Sequence, residues 1–242
     1  MLAVLIAAAV ALPTPAQLPT IPRLIQQARP VFCAGTYSRD LAITFDDGPS
    51  PYTLRLVRVL RRAHVRATFF DVGSRIRIWP DAARASTHVG ELGNHTWTHP
   101  PLTRLSLGRV DTQLVETQAE IGEDGGGVPR LFRPPYGEAT TAIDRIARGL
   151  ELLDVRWSED SGDSLPGASA RSVRRAALAG LRPGAIILLH DPHPWTASVA
   201  RALFRVARRR GLRPVTVSKL LATQPPTAHQ LDSTGTERCP VP

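Results

Sequence analysis

From residue 41 onward the sequence alternates short apolar runs with amphipathic stretches, and this alternation is the strongest constraint on the fold. Short apolar runs bounded by turn residues are typical of buried strands, and amphipathic stretches are typical of surface helices. The predicted strands cover residues 41–45, 67–71, 91–93, 130–132, 152–157, 185–189 and 214–217. The predicted helices cover residues 53–64, 79–89, 107–122, 138–149, 169–180 and 195–210. This alternation predicts a mainly parallel α/β sheet of about seven strands in one domain, folded as a distorted (β/α) barrel.

The domain organisation follows from where this pattern begins and ends. Residues 31–222 form the predicted domain, because no internal repeat or long linker interrupts them. Residues 1–30 begin with an apolar run that resembles a secretory signal, so we expect a signal peptide and leader on an exported, extracytoplasmic protein. That run is shorter than the roughly 20 apolar residues of a membrane-spanning helix, so we expect no stable membrane insertion. Residues 223–242 are rich in Pro, Thr and Ser and are predicted to form a C-terminal tail.

The chain has two cysteines, Cys33 and Cys239, which flank almost the whole predicted domain. In an exported protein they could form one disulfide that ties the two ends together. In a cytosolic protein they would be unrelated thiols. The sequence leaves both alternatives open, because it does not show that the two Cβ atoms come within reach of each other.

The charge balance is basic, with 30 Lys and Arg against 21 Asp and Glu, for a formal net charge of +9. Such a charge favours acidic partners of any kind. The densest basic run, Arg208–Arg210, falls at the end of a predicted helix, where cations stabilise the helix C-terminus. No aromatic residues are interleaved with it for base stacking. We therefore predict a solvated helix face there and no nucleic-acid partner.

Two motifs after predicted strands carry candidate metal ligands. Asp46 and Asp47 follow the first strand, and on an extended backbone their side chains would point opposite ways and could serve different roles. His95 and His99 follow the third strand, and on one helical turn they would face the same side. One Asp with two His suits zinc or a similar divalent ion and leaves coordination positions open. The alternative for each motif is a plain turn or a pair of surface histidines.

Two further motifs also follow predicted strands. Arg133-Pro134-Pro135-Tyr136-Gly137 is a proline-stiffened loop whose Tyr136 N–H could donate to a developing oxyanion. His190 follows the most apolar strand, where an imidazole can act as a general acid near neutral pH. Each motif alone also fits a structural role, but all four fall at strand ends, which one barrel mouth would bring together.

The ordered set of motifs resembles the polysaccharide deacetylases of carbohydrate esterase family 4, the NodB-homology domain. The segments that carry the resemblance are Thr44–Pro49, His95–His99, Arg133–Gly137, Trp157–Asp163 and Leu188–His190. The resemblance covers residues 33–220 and implies a NodB-like barrel. It also implies metal-dependent removal of acetyl groups from N- or O-acetylated glycans such as chitooligosaccharide, acetyl-xylan or peptidoglycan.

The resemblance also implies roles for individual residues. Asp46 would be the general base and His190 the general acid, while Asp47, His95 and His99 would hold the metal. Arg133 would orient the base, and Asp163 would in turn hold Arg133. The predicted substrate contacts are Tyr136 and Leu188 at the acetate pocket, together with Pro134 and Trp97. We expect Zn²⁺ as the metal, with Co²⁺ or Ni²⁺ as alternatives, and a monomeric protein.

One position departs from the family pattern. Ser164 stands where the family usually has a tryptophan, so one aromatic wall of the substrate groove must be missing or supplied from elsewhere. Trp97 and Trp195 are the candidate replacements, although each also fits ordinary barrel packing. The alternative function is a catalytically weak glycan-binding module that has kept its metal site.

Overall fold

The structure is a computed structural model that describes residues 20–123 and 127–232 together with Cys239. The first 19 residues of the predicted leader therefore lie outside the described residues, as does most of the predicted tail after residue 232. Within the described part of the chain, none of the helices is both long enough and apolar enough to cross a membrane.

The described residues form one parallel sheet of eight short strands. The strands are β1 (Asp40–Gly48), β2 (Ala67–Asp71), β3 (Gly90–Asn94), β4 (Leu131–Phe132), β5 (Leu153–Asp154), β6 (Glu159–Asp160), β7 (Ile186–His190) and β8 (Arg213–Val215). Their order across the sheet is β5-β4-β3-β2-β1-β7-β6, and β8 pairs with the amino end of β1. This confirms the predicted parallel α/β fold.

Ten α-helices lie within the described residues. They are α1 (Thr20–Gln27), α2 (Thr53–Ala63), α3 (Gly73–Ile78), α4 (Pro80–Thr87), α5 (Leu107–Ile121), α6 (Thr141–Gly149), α7 (Ala170–Ala179), α8 (Thr196–Arg209), α9 (Val217–Thr223) and α10 (Ala228–Asp232). Two short 3₁₀ helices cover Leu102–Arg104 and Pro135–Gly137. The prediction missed four of them, namely α1, α3, α9 and α10. Helix α3 begins at Gly73 directly after β2 and is separated from α4 by Trp79, so the predicted helix over 79–89 is one of a pair.

A four-residue crossing curls the sheet into a distorted barrel. Strands β5 and β6 are the two ends of the strand order, yet only residues 155–158 separate them along the chain. Since a residue spans at most about 3.5 Å, the two edges lie within roughly 18 Å of each other. The sequence predicted a single strand over 152–157. The structure instead splits this region between opposite edges of the sheet, because Val155 pairs with Val31 and Ser158 N–H donates to Ile186 O.

The two faces of β1 have different environments. Leu41, Ile43 and Phe45 belong to the core between the sheet and the outer helices. Ala42 belongs to the second core, which the curled sheet encloses with α1 and α9. Side chains alternate along a strand, so Thr44 and Asp46 share the enclosed face with Ala42. The outer face thus supplies packing, and the enclosed face presents polar groups at its carboxyl end.

The packed body extends beyond the predicted domain of residues 31–222 at both ends. Helix α1 falls in the predicted leader, and its Leu24 and Ile25 are buried in the enclosed core. Gln224 falls in the predicted tail, yet it is fully buried and its amide donates to Asp40 O at 2.8 Å. Both segments cover the amino end of the barrel. The elements predicted from the apolar pattern do not cover that end.

Cys33 and Cys239 form a disulfide that joins residues 206 positions apart. Of the two alternatives that the sequence left open, the structure shows the bonded one. A cross-link over so long a loop restricts the unfolded chain strongly.

We expect the double substitution Cys33→Ser and Cys239→Ser to lower the free energy of unfolding by about 2–5 kcal/mol, because the unfolded chain regains the conformational freedom that the bond removes. Denaturant titration of the oxidised wild type, the reduced wild type and the double variant measures this change. The reduced wild type should match the variant. An unfolding midpoint that is the same in all three samples would contradict the prediction.

Candidate metal and active site

The polar residues predicted from the sequence meet at one end of the barrel. Because the strands of the sheet are parallel, their carboxyl ends lie at the same edge. The residues placed there are Asp46 and Asp47 at the end of β1, His95 and His99 after β3, Arg133 and Tyr136 after β4, Asp163 after β6, and His190 at the end of β7. Asp46 and His190 are register partners on neighbouring strands.

Three of these residues point lone pairs at a common centre. Asp47 Oδ1 lies 3.4 Å from His95 Nε2 and 3.3 Å from His99 Nε2. The three candidate ligand atoms all lie within 4.8 Å of one another, and Asp47 Oδ1 is buried without a hydrogen-bond partner. His95 Nδ1 lies 2.7 Å from Arg133 O, so Nδ1 carries the proton and Nε2 faces Asp47 with a lone pair. Converging lone pairs repel one another unless a cation lies between them, so this donor set fits a divalent metal.

Left-handed backbone conformations bring the ligands together. Asp47 has a φ of 64° at a register shift between Asp46 and Gly48, and Arg75 donates to its carbonyl at 2.6 Å. The predicted opposite orientation of the two carboxylates is therefore wrong, because both approach His95. The predicted helical turn from His95 to His99 is wrong as well, because that segment is a bend with a φ of 59° at His99.

The protonation states of the ligands suit a metal. Burial by itself raises the pKa of Asp47, but the neighbouring His95, His99 and His190 outweigh burial and leave this pKa well below its ordinary value. Burial and the neighbouring His95 lower the pKa of His99. At neutral pH the site thus offers an ionised carboxylate and a neutral imidazole, the forms that bind divalent ions.

A fully buried arginine holds Asp46 in place. Arg133 Nη1 donates to Asp46 Oδ1 at 2.7 Å and to Thr44 Oγ1 at 2.7 Å. Its other nitrogens donate to the carbonyls of Val155 and Arg156, both at 2.9 Å. Burial lowers the pKa of Arg133 and the charge of Asp46 opposes that effect, but an arginine stays protonated throughout the working pH range. Asp46 is thus held in place beside the metal-ligand set.

Asp163 pairs with His190. Its Oδ1 lies 2.6 Å from His190 Nδ1, and its Oδ2 accepts the His190 backbone N–H at 2.7 Å. The predicted pairing of Asp163 with Arg133 is therefore wrong, since β6 brings Asp163 beside β7 while the donors of Arg133 go to other partners. Burial lowers the pKa of His190, but Asp163 raises it more, to about 9. His190 is consequently an imidazolium at neutral pH.

The predicted substrate contacts have different surroundings. Tyr136 is 63% exposed, has a φ of 61°, and packs its ring edge-on to His99. Pro134 is buried, and Leu188 lies buried on β7 as the register partner of Thr44. This position puts Leu188 on the enclosed face, below Asp46 and His190.

The two tryptophans considered as replacements for the missing aromatic wall occupy different places. Trp97 packs closely against Gly73 of α3 and lies under the Arg77 guanidinium at 4.7 Å, which supports the packing alternative for this residue. Trp195 stacks on His193 with ring centroids 4.9 Å apart, and the His193 ring lies 6.5 Å from that of His190. Trp195 is therefore the tryptophan on the His190 side of the site.

Two buried acids lie behind the Asp47 turn and were not among the predicted site residues. Asp191 accepts hydrogen bonds from Ser50 and from Thr53 Oγ1, the latter at 2.8 Å. Burial, and then the charge of Asp191, raise the pKa of Asp71 well above its ordinary value. A Cβ at Gly48 would lie 2.5 Å from Asp71 Oδ1, so the turn approaches this carboxyl as closely as only glycine permits.

A second group of charged residues, which was not predicted from the sequence, supports the Tyr136 loop. Arg156 donates to Gly137 O and, at 2.7 Å, to both Asp154 oxygens. Burial and the charge of Asp154 raise the pKa of Asp144 in α6 to about 7. Charges at positions 154 and 156 of an apolar segment were the signal that could have indicated an internal ion pair.

Comparison with known proteins identifies the family. Residues 34–154 match the model of the polysaccharide deacetylase family. The peptidoglycan-N-acetylglucosamine deacetylase PgdA of Listeria monocytogenes is 33% identical over 86% of this chain, which spans 42% of that protein. A chitooligosaccharide deacetylase of Rhizobium leguminosarum bv. trifolii is 36% identical over 79% of this chain and 87% of its own length. The chain belongs to the polysaccharide deacetylase family.

A solved structure gives the same result. The family 4 carbohydrate esterase from Streptomyces lividans, in complex with acetate, matches with a TM-score of 0.69 and 34% identity over 75% of this chain and 92% of that chain. The fold expected from the resemblance is therefore confirmed. The family, together with the Asp47, His95 and His99 set, indicates a divalent metal ion.

The raised pKa of Asp144 predicts how stability depends on pH. The folded protein binds a proton at Asp144 that the unfolded chain releases near pH 4, so stability falls as the pH rises from about 4 to about 7. We expect Asp144→Asn, which cannot ionise, to raise the unfolding temperature by roughly 2–4 °C at pH 8. Thermal melts at pH 8 and pH 4.5 test this, because the gain should vanish at the lower pH. An equal gain at both values would contradict the assignment.

Proposed function

We propose that this chain is a metal-dependent hydrolase that removes acetyl groups from N- or O-acetylated polysaccharides. The observation that carries the proposal is a single arrangement of side chains. The converging lone pairs of Asp47, His95 and His99 lie between a carboxylate fixed by a buried arginine and an imidazole fixed by a buried carboxylate. Hydrolysis of an amide or ester needs both a group that takes a proton and a group that gives one.

Asp47, His95 and His99 would hold the metal, and we propose Zn²⁺, with Co²⁺ or Ni²⁺ as alternatives. When bound, such an ion supplies a Lewis acid that polarises a carbonyl and makes water more acidic. The three protein ligands leave coordination positions open, as catalytic sites require.

Asp46 is the proposed general base. Its Oδ1 is held by Arg133, and its Oδ2 lies 3.8 Å from His95 Nε2 on the metal-ligand side. A carboxylate held in this way can take a proton from the water that attacks the acetyl carbonyl carbon. The rigid Arg133 contact keeps the carboxylate oxygen in place, so the reaction does not lose entropy in orienting it.

His190 is the proposed general acid. It is protonated at neutral pH because Asp163 stabilises the imidazolium, so it can give its proton to the leaving nitrogen or oxygen as the bond to the acetyl carbon breaks. The products are acetate and a free amine or hydroxyl on the sugar. The Tyr136 N–H is the proposed donor to the oxyanion formed in between, and one such donor is typically worth about 10² to 10³ in rate.

Leu188, Tyr136 and Pro134 are the proposed boundary of the acetate pocket. Leu188 supplies an apolar surface on the enclosed face next to His190, and Tyr136 is exposed where a sugar would approach. The relatives' names include peptidoglycan and chitooligosaccharide deacetylases, so the proposed substrates are polymers of N-acetylated sugars, with acetylated xylan as an ester alternative. We further propose a monomer.

An extracytoplasmic location is also proposed. The Cys33–Cys239 disulfide supports it, because disulfides persist in oxidising compartments. Relatives named as peptidoglycan deacetylases act on a polymer found outside the cytoplasm, which agrees with that location.

The test is acetate release from peptidoglycan, N-acetylglucosamine oligomers and acetylated xylan. We expect release that stops after chelation, returns with Zn²⁺ or Co²⁺, and falls by at least about 10³-fold in Asp46→Asn, because the proton acceptor is lost. Asp111→Asn is the matched control, since this exposed carboxylate on α5 forms no ion pair with any residue that the structure describes. Direct metal titration, with His99→Ala as the ligand variant, reports the metal site separately. Tight metal binding without acetate release would instead support the glycan-binding module.

Asp163→Asn tests the assignment of His190. Loss of the carboxylate removes the main cause of the raised pKa, so the pKa of His190 falls from about 9 toward its ordinary 6.5. The acid is then deprotonated at lower pH, and we expect the alkaline limb of kcat/KM to move down by at least about one pH unit. The pH profiles of the variant, the wild type and Asp111→Asn measure this. A reduced rate with an unmoved alkaline limb would indicate a purely structural role for Asp163.

A further inference from the structure

Three neighbouring helices form a surface of unbalanced positive charge. Helices α2, α7 and α8 together carry eleven arginines and not one Asp or Glu. Helix α8 packs against both of the others, so their outer faces form one continuous surface, named here the arginine face. The basic run predicted from the sequence was assigned to the solvated face of one helix. The structure shows that it is part of a larger surface built from three.

A groove lies within the arginine face, between α2, α8 and β8, and has a volume of about 830 Å³. Its charged lining consists of Arg62, Arg201, Arg205, Arg208 and Arg213. Its apolar floor includes Val59, Phe204 and Leu212, all of which are buried. The groove therefore alternates cationic and apolar surface within one concave site.

The groove is remote from the proposed active site. Arg213 pairs with Asp40 at the amino end of β1, whereas Asp47 lies near its carboxyl end. The two ends of this nine-residue strand are roughly 25 Å apart. A ligand in the groove would thus leave the barrel mouth open, and binding there is independent of the proposed catalytic residues.

Most of the groove's guanidinium groups have no counter-charge among the described residues. Arg213 donates to Asp40 Oδ1 at 2.7 Å. The other four, Arg62, Arg201, Arg205 and Arg208, form no ion pair with any residue that the structure describes, whereas Arg77 pairs with Glu120 and Arg182 with Glu159. Bringing unpaired guanidinium groups together is unfavourable, and an anion would relieve that repulsion.

The lining indicates the chemistry of the anion. Guanidinium groups bind phosphate in a bidentate manner, and the apolar floor suits the uncharged carbon groups between successive charges. A recessed groove admits a single flexible chain, whereas a flat lipid surface cannot enter it. Nor do these three helices expose a row of large apolar side chains for membrane insertion, since Leu54 is the only such residue on them.

We propose that the arginine face is a binding site for a linear polymer of phosphodiesters joined by short polyol linkers. One segment of the polymer lies in the groove with its phosphates on Arg62, Arg205 and Arg208, and neighbouring segments extend along α7. The enzyme would thereby be retained beside an anionic polymer while its active site faces away from it.

The test is equilibrium binding of poly(glycerol phosphate) to the full chain at 50 and 200 mM salt. The variant combines Arg62→Gln, Arg205→Gln and Arg208→Gln. The matched control combines Arg109→Gln, Arg145→Gln and Arg148→Gln, which removes the same charge from exposed positions on α5 and α6. We expect the groove variant to bind more than about tenfold more weakly and to lower the slope of log K against log salt by roughly 2–3, while the control stays within about twofold of wild type. Thermal melts confirm that both variants fold.

Several outcomes would overturn the proposal. Equal losses in both triple variants would show a general charge effect without a site. Tighter binding of phosphatidylglycerol vesicles than of the polymer would assign the arginine face to membranes, and tighter binding of duplex DNA of equal charge would assign it to nucleic acid. No binding at 50 mM salt would refute it outright. None of these outcomes depends on acetate release, so the proposed function is tested separately.

Discussion

The buried guanidinium of Arg133 is the interaction on which the rest of the site depends. It joins β4 to Asp46 and Thr44 on β1 and to the carbonyls of the crossing segment after β5. An unpaired charge in this position would cost several kcal/mol, so the contact of Arg133 with Asp46 serves the fold as well as the proposed chemistry. The same arginine that joins these strands therefore holds the proposed base in position.

Other residues at the barrel mouth are also held by groups that belong to the fold. The carbonyl of Arg133 selects the tautomer of His95, and Asp163 selects the charge of His190. Each of these partners is a backbone group or a buried side chain, so the orientations do not depend on solvent. The protein thereby fixes the tautomer of one imidazole and the charge of another within a single site.

The sequence was sufficient for the fold class and for the residues that gather at the barrel mouth, because strand ends in a parallel sheet meet at one edge. It was insufficient where the outcome depends on tertiary contacts. Nothing in Glu159–Asp160 indicates a strand, and its position on the far edge decides that Asp163 reaches His190 and not Arg133. The left-handed conformation of Asp47 was also unpredictable, because it depends on Arg75 holding the Asp47 carbonyl from another helix.

The alternation of side chains along β1 separates substitutions that affect stability from substitutions that affect the site. The side chains at positions 41, 43 and 45 belong to the outer core, whereas those at positions 44 and 46 contact Arg133. Substitutions on the first set alter stability, and those on the second alter the charge network. Adjacent residues of this strand are therefore constrained by different requirements, packing for one set and the charge network for the other. The core could be repacked for heat resistance without altering the groups at the barrel mouth.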